Sequence, residues 1–264
     1  MSTVSLPYTI NYFGTSGSSV WRGRSFHDAE LFKHFIRDVV APRIKDAEES
    51  FEDDIRGLAT TKMATEFVER LLKTVPKPKT WEIGEALAEC ALQYDSEHDV
   101  RWPWNTVRDR RTPRASLPGA DLVGFCCQGE TVRLLFGEVK TSSDPHTPPQ
   151  VMYGGSGMTW QLEEDAIRLD IHCTLLEWLH ARCGSPLYRE LYERAIGRYL
   201  ESEGKDFLLV GVLIRDTRPN ERDIKGRAEY LGKRLSAPTC VEMITWYLPI
   251  LIKGWATLIR EVTP

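Results

Sequence analysis

Asp121, Glu138 and Lys140, near the middle of the chain, have the residue types and spacing of a divalent-cation site. They stand in residues 118–140, PGADLVGFCCQGETVRLLFGEVK, where two apolar-rich runs, 120–126 and 131–139, flank Gly129-Glu130. Glycine in the first central position suits a two-residue II′ turn, so the stretch reads as a β-hairpin. Antiparallel pairing about that turn sets Phe125 opposite Leu134, Val123 opposite Phe136 and Asp121 opposite Glu138. Residues two apart in a strand share a face, which brings Lys140 to the same spot. Facing carboxylates in a sheet lie roughly 5 Å apart at Cβ and repel unless something compensates them. A cation would do so, and two carboxylates with retained water suit Mg²⁺, with Mn²⁺ as its substitute. Gly119 and Gly137 leave backbone room beside both acids. The competing reading is a surface hairpin in which Lys140 merely pairs with an acid.

Other elements must carry groups to this hairpin. Thr80 is an N-cap candidate for a helix over 81–94, WEIGEALAECALQY, whose apolar face is Ile83, Ala86, Leu87, Cys90 and Ala91. Glu82, Glu85 and Glu89 flank that face at spacings of three and four. Either they form a solvated acidic edge, or Glu85, and after it Glu89, reaches the metal of the hairpin. Between 101 and 114 five arginines, Arg101, Arg108, Arg110, Arg111 and Arg114, face one acid, Asp109. The last four are candidates for DNA phosphate contact, while Trp102 and Trp104 either stack on unpaired bases or anchor the loop to the core. After the hairpin comes a loop rich in Ser, Pro and Gly, then a helix over 158–183 on which Gln161 could meet the substrate backbone. His172 and His180 lack a metal motif and read as packing or surface residues. The continuous apolar run 207–214, FLLVGVLI, reads as a strand buried on both faces.

The N-terminal part carries helical stripes over 26–44, ending near Pro42, and over 47–72, broken near Gly57. Residues 1–25 read as short strands and loops. The expected division is a helical region over 1–76 and an α/β domain over 77–264. Over all 264 residues the net charge is −4, so the chain lacks the basic surface that a protein gripping nucleic acid alone usually shows. No uncharged apolar run is long enough to span a bilayer and the N-terminus has no signal-peptide pattern, so a cytoplasmic, non-membrane protein is expected. The six cysteines show no CxxC spacing and are read as reduced thiols.

The order helix, strand, strand ending in ExK, helix, buried strand resembles the core of the PD-(D/E)xK nuclease superfamily over roughly 81–214. The resemblance implies an α/β, mixed-sheet fold like that of restriction endonucleases. It implies catalytic roles for Asp121, Glu138, Lys140 and Glu85, with Asp121, Glu138 and Glu85 as metal ligands. Proline stands three positions before Asp121 rather than directly before it, a departure from the family's pattern. The implied chemistry is phosphodiester hydrolysis, in which Mg²⁺ lowers the pKa of a bound water and Lys140 neutralises developing charge. With a reference pKa of about 10.4, Lys140 is a poor base. The GEALAE helix, GADLVGF, FGEVK and WYLPI together resemble the nuclease subunit of Hachiman anti-phage defence systems. That implies a bacterial effector cutting DNA with little sequence preference, held in check by a large ATP-dependent helicase partner. The alternatives are an inactive nuclease fold used for assembly and a stand-alone restriction or repair endonuclease.

Overall fold

A computed structural model describes residues 6, 8–46, 51–74, 78–95, 97–105, 109 and 119–260. The centre is a mixed sheet of seven strands in the order β1-β2-β7-β6-β5-β4-β3. The strands are β1 (Thr9–Ser16), β2 (Ser19–Ser25), β3 (Asp99–Arg101), β4 (Leu122–Gln128), β5 (Thr131–Ser142), β6 (Phe207–Arg215) and β7 (Cys240–Tyr247). β2, β7, β6 and β5 run parallel, and antiparallel partners close both sides. Every residue of β6 is buried, as its apolar sequence requires once helices cover both faces of the sheet.

One face is covered by α1 (Ala29–Phe35), α2 (Ala41–Lys45), α5 (Thr80–Gln93) and α10 (Trp255–Arg260). α1 and α2 form one rod through a π-helical turn, Ile36–Val40. Ala41 N there donates to Ile36 O, and the wide turn carries the helix past Pro42, where an end was expected. The other face is covered by α6 (Met158–Ile167), α7 (Leu169–Arg182), α8 (Pro186–Glu201) and α9 (Lys225–Arg234). The single helix expected over 158–183 is therefore two. Arg168 turns to extended backbone, φ −91° and ψ 104°, and its guanidinium bridges Glu164 and Asp170 across the break.

The boundary expected at residue 76 does not divide the sheet. β2 pairs in parallel with β7 from Ser19↔Val241 to Ser25↔Tyr247, so residues 9–25 belong to the same layer as the C-terminal strands. The polar look of β2 conceals this because its charges are paired inside. Arg24 Nη1 lies 2.6 Å from Asp95 Oδ2, with both side chains fully buried, and the guanidinium stacks on Tyr8 and Trp246. α3 (Phe51–Leu58) and α4 (Lys62–Leu72) form the helix pair expected over 47–72. Phe51, Leu58, Met63 and Phe67, apolar positions of these helices, are exposed. Arg108, Arg110, Arg111 and Arg114 lie outside the described residues.

Candidate active site

The hairpin forms in the expected register. Gly129 takes φ 57°, and Val123 pairs with Phe136 and Phe125 with Leu134. The ladder ends at Leu122↔Gly137, one pair short of the acids. Asp121 is therefore not a strand partner of Glu138. Gly119, at φ 88°, turns the chain just before it, and Asp121 Oδ2 accepts a hydrogen bond from Val139 N at 3.0 Å. The carboxylate takes the place a backbone carbonyl would hold if the ladder continued. The acids still meet, because Asp121 is the carboxyl neighbour that acts on Glu138.

Glu138 is 1% exposed and shares its sheet face with Phe136 and Leu134, beneath α6. Two glycines allow this. A Cβ on Gly137 would lie 2.3 Å from Val210 O, and one on Gly211, the β6 partner of Glu138, would lie 2.6 Å from Met243 Sδ and 2.9 Å from Leu162 Cδ1. Without side chains at these points β5 and β6 close up and α6 settles on the sheet. Lys140 Nζ donates to Glu138 Oε1 at 2.5 Å. Burial, then the charge of Asp121, pushes the Glu138 carboxyl up to about 9, against the opposing pull of Lys140. Metal-free, Glu138 therefore keeps a proton at neutral pH.

A residue the sequence reading passed over joins them. Asp165, on α6, is 1% exposed, and its Oδ2 has no hydrogen-bond partner among the described residues. Burial and then Asp121 push its carboxyl up to about 8, while Lys140 pulls the other way. Position 165 falls at spacings of four and three on the buried stripe Met158, Leu162, Asp165, and an acid on a core stripe was the available signal. Gln161, one turn earlier on the same side of α6, also has a buried, unpartnered Oε1. His172 fixes this region, with Nδ1 2.6 Å from Tyr199 Oη and Nε2 2.6 Å from Asp165 O.

α5 packs on the opposite face of the sheet, with Leu122, Leu135 and Val139. Of its acids, Glu89 is the one shown to interact with the centre, through Asp121 at the strand end. Glu89 is 1% exposed and receives Arg43 Nε at 2.6 Å. Burial raises its carboxyl, Arg43 opposes this, and Asp121 adds to the rise, so Glu89 lies within electrostatic reach of Asp121. Glu85 is buried one turn earlier, next to Gly84, whose Cβ position would lie 2.3 Å from Thr141 Oγ1. Trp102 and Trp104 anchor the chain to the core instead of offering faces to bases. Trp102 Nε1 donates to Glu89 O at 3.1 Å and Trp104 Nε1 to Val123 O at 2.6 Å.

Among the described residues no group of three or more His, Cys, Asp or Glu side chains is close enough to hold a metal ion. The donor set fits a cation that needs fewer protein ligands. Mg²⁺ keeps several waters and uses one or two carboxylates, and Asp121 with Glu138 is such a pair. The buried, unpartnered oxygens of Asp165 and Gln161 are acceptors that such waters would satisfy. No protein-family model matches the chain, and no curated protein matches it.

Proposed function

We propose that the chain is a Mg²⁺-dependent phosphodiester hydrolase that cuts DNA. The observation carrying this reading is the convergence of Asp121 and Lys140 on the buried Glu138, at a strand end beside the orphaned oxygens of α6. Asp121 and Glu138 would hold the ion, which supplies charge to the scissile phosphate and an acidified water. Glu138 must give up its proton as the ion enters. Lys140, already on Glu138, keeps that carboxylate oriented and places positive charge where the phosphate gains negative charge. Gln161 Oε1 and Asp165 Oδ2 orient water at the α6 side. Glu89, held by Arg43, and Glu85 line the approach from α5.

Glu138→Gln and Lys140→Ala should each lower Mg²⁺-dependent cleavage of plasmid or oligonucleotide DNA by at least roughly 100-fold, the scale of a lost electrostatic group. Full cleavage by both variants at unchanged melting temperature would end this assignment. The resemblance described above extends the proposal to an effector of bacterial anti-phage defence, controlled by a large helicase. The net charge of −4 is consistent with a nuclease that borrows much of its DNA contact from a partner. Co-purification with a helicase encoded next to this gene tests that extension.

One observation favours a second reading, an inactive nuclease fold serving assembly. Lys140 Nζ is already bonded to Glu138 Oε1, so that acid has a partner without an ion. Thermal melts separate the two. A cation at a hundred times its Kd adds roughly 2.7 kcal/mol to stability, whereas an inert fold shows no shift.

A further inference from the structure

On the far side of α6 from the sheet a cavity of about 420 Å³ opens between the segment before α6 and α9. Three aromatic side chains line it, Tyr153, Trp160 and Tyr230, each more than a third exposed. Arg227 stands at its wall with its guanidinium carbon 4.6 Å from the centre of the Tyr153 ring. Among the described residues no acid pairs with Arg227. The one carboxylate in the wall, Glu163, is already committed to Arg234 and to Tyr230 Oη, the latter at 3.3 Å. Thr159, also in the wall, is only 7% exposed, and its Oγ1 has no hydrogen-bond partner among the described residues.

Flat faces, a guanidinium that rests on Tyr153 without an acid partner among the described residues, and a buried hydroxyl match three parts of one ligand. Aromatic rings accept a base by stacking, a guanidinium takes the phosphate, and the hydroxyl reads the base edge. The cavity and the proposed centre lie on the two sides of one helix, with Thr159 and Trp160 of the wall immediately preceding Gln161 in α6. We propose that this cavity binds one unpaired nucleotide of the substrate strand, stacked on Trp160 and Tyr153 with its base edge on Thr159. The inference rests on the nuclease reading for its substrate. It adds that the protein prefers single-stranded or frayed nucleic acid, because a paired base enters only at the cost of unpairing and unstacking, a few kcal/mol.

The test uses the full chain in EDTA, so that the probe stays intact. Fluorescence anisotropy is read with short labelled oligodeoxythymidine, with the matching RNA strand, and with a blunt duplex. The single strands should bind more tightly than the duplex, and the DNA and RNA arms show which sugar the pocket accepts. Trp160→Ala and Tyr153→Ala should each weaken single-strand binding roughly 10-fold while leaving duplex binding unchanged. Thr159→Val, nearly isosteric, should keep the stacking yet flatten the preference among bases. Trp160 is half exposed, so its variant should melt with the wild type. Single-strand affinity indifferent to Trp160 and Tyr153 would overturn the proposal. Glu138→Gln separates the two ideas. If it spares cleavage while Trp160→Ala weakens strand binding, the catalytic reading falls and the pocket stands. Cleavage lost in Glu138→Gln with strand binding indifferent to Trp160 removes the pocket alone.

Discussion

At the scale of single residues, the buried acids set a pH dependence with a definite sign. The Glu138 and Asp165 carboxyls are raised above their unfolded values, to about 9 and about 8. Such groups contribute most to stability below the unfolded carboxylate pKa, roughly 4, and the contribution is lost as pH climbs through the folded values. In EDTA the melting temperature should therefore fall as pH rises from about 5 to about 9, and Glu138→Gln should flatten the slope. Mg²⁺ should reverse the trend, because ion entry displaces protons. The shift it produces should grow over the same range, with proton release visible by calorimetry in buffers of different ionisation heat. A slope that persists in Glu138→Gln and Asp165→Asn would show that other groups control it. Asp165→Asn alone should raise the metal-free melting temperature at pH 9 and lower activity, since a buried charge without a partner is the costlier state.

At the scale of elements, the hairpin and the helix above it depend on glycines. Gly137→Ala would set a methyl group 2.3 Å from the Val210 carbonyl, a backbone atom that cannot step aside. Separation of β5 from β6 should cost about 3 kcal/mol, with cleavage falling along with it. In Gly211→Ala the first clash is with Met243 Sδ, the flexible end of a side chain, so the cost should be about 1 kcal/mol. Urea unfolding measures both, and equal losses would contradict this ordering. The hairpin was legible because apolar alternation and Gly129 agree on one register, and β6 because its run is wholly apolar. β2 was not, because Arg22 and Arg24 look like surface residues until Glu242, Glu97 and Asp95 appear around them in space. The break at Arg168 also escaped notice, since the charged sequence around it suits a helix as well as a bend. Of the candidate centre, Asp121, Glu138 and Lys140 could be read from the hairpin alone. Asp165 could not, because its role depends on α6 being laid across β5 by Gly211.

At the scale of the whole molecule, the N-terminal strands are part of the sheet, so the chain should unfold as one unit. Removing residues 1–25 would bare the edge of β7, an aggregation-prone surface, and leave Asp95 buried without Arg24. Asp95→Ala should cost about 3 kcal/mol by removing the fully buried partner of the Arg24 guanidinium, which keeps only Glu97 Oε1 at 3.3 Å from its Nη2. Calorimetry should still give a single transition at a lower temperature, and a second, unaltered transition would reveal an independent C-terminal unit. No described helix is long and apolar enough to cross a membrane.

The bond from Val139 N to Asp121 Oδ2 has a consequence for ion selectivity. That bond commits one oxygen of Asp121, and Lys140 commits Oε1 of Glu138. Each bond takes one of the carboxylate's roughly four lone-pair sites and fixes its orientation, which disfavours a two-oxygen grip on an ion at either acid. Ca²⁺ gains much of its affinity from such two-oxygen grips and from seven or so ligands, whereas Mg²⁺ is content with single oxygens in an octahedron. Ca²⁺ should accordingly bind weakly and fail to support cleavage. Lys140→Met, by freeing Oε1, should narrow the gap in binding between the two ions.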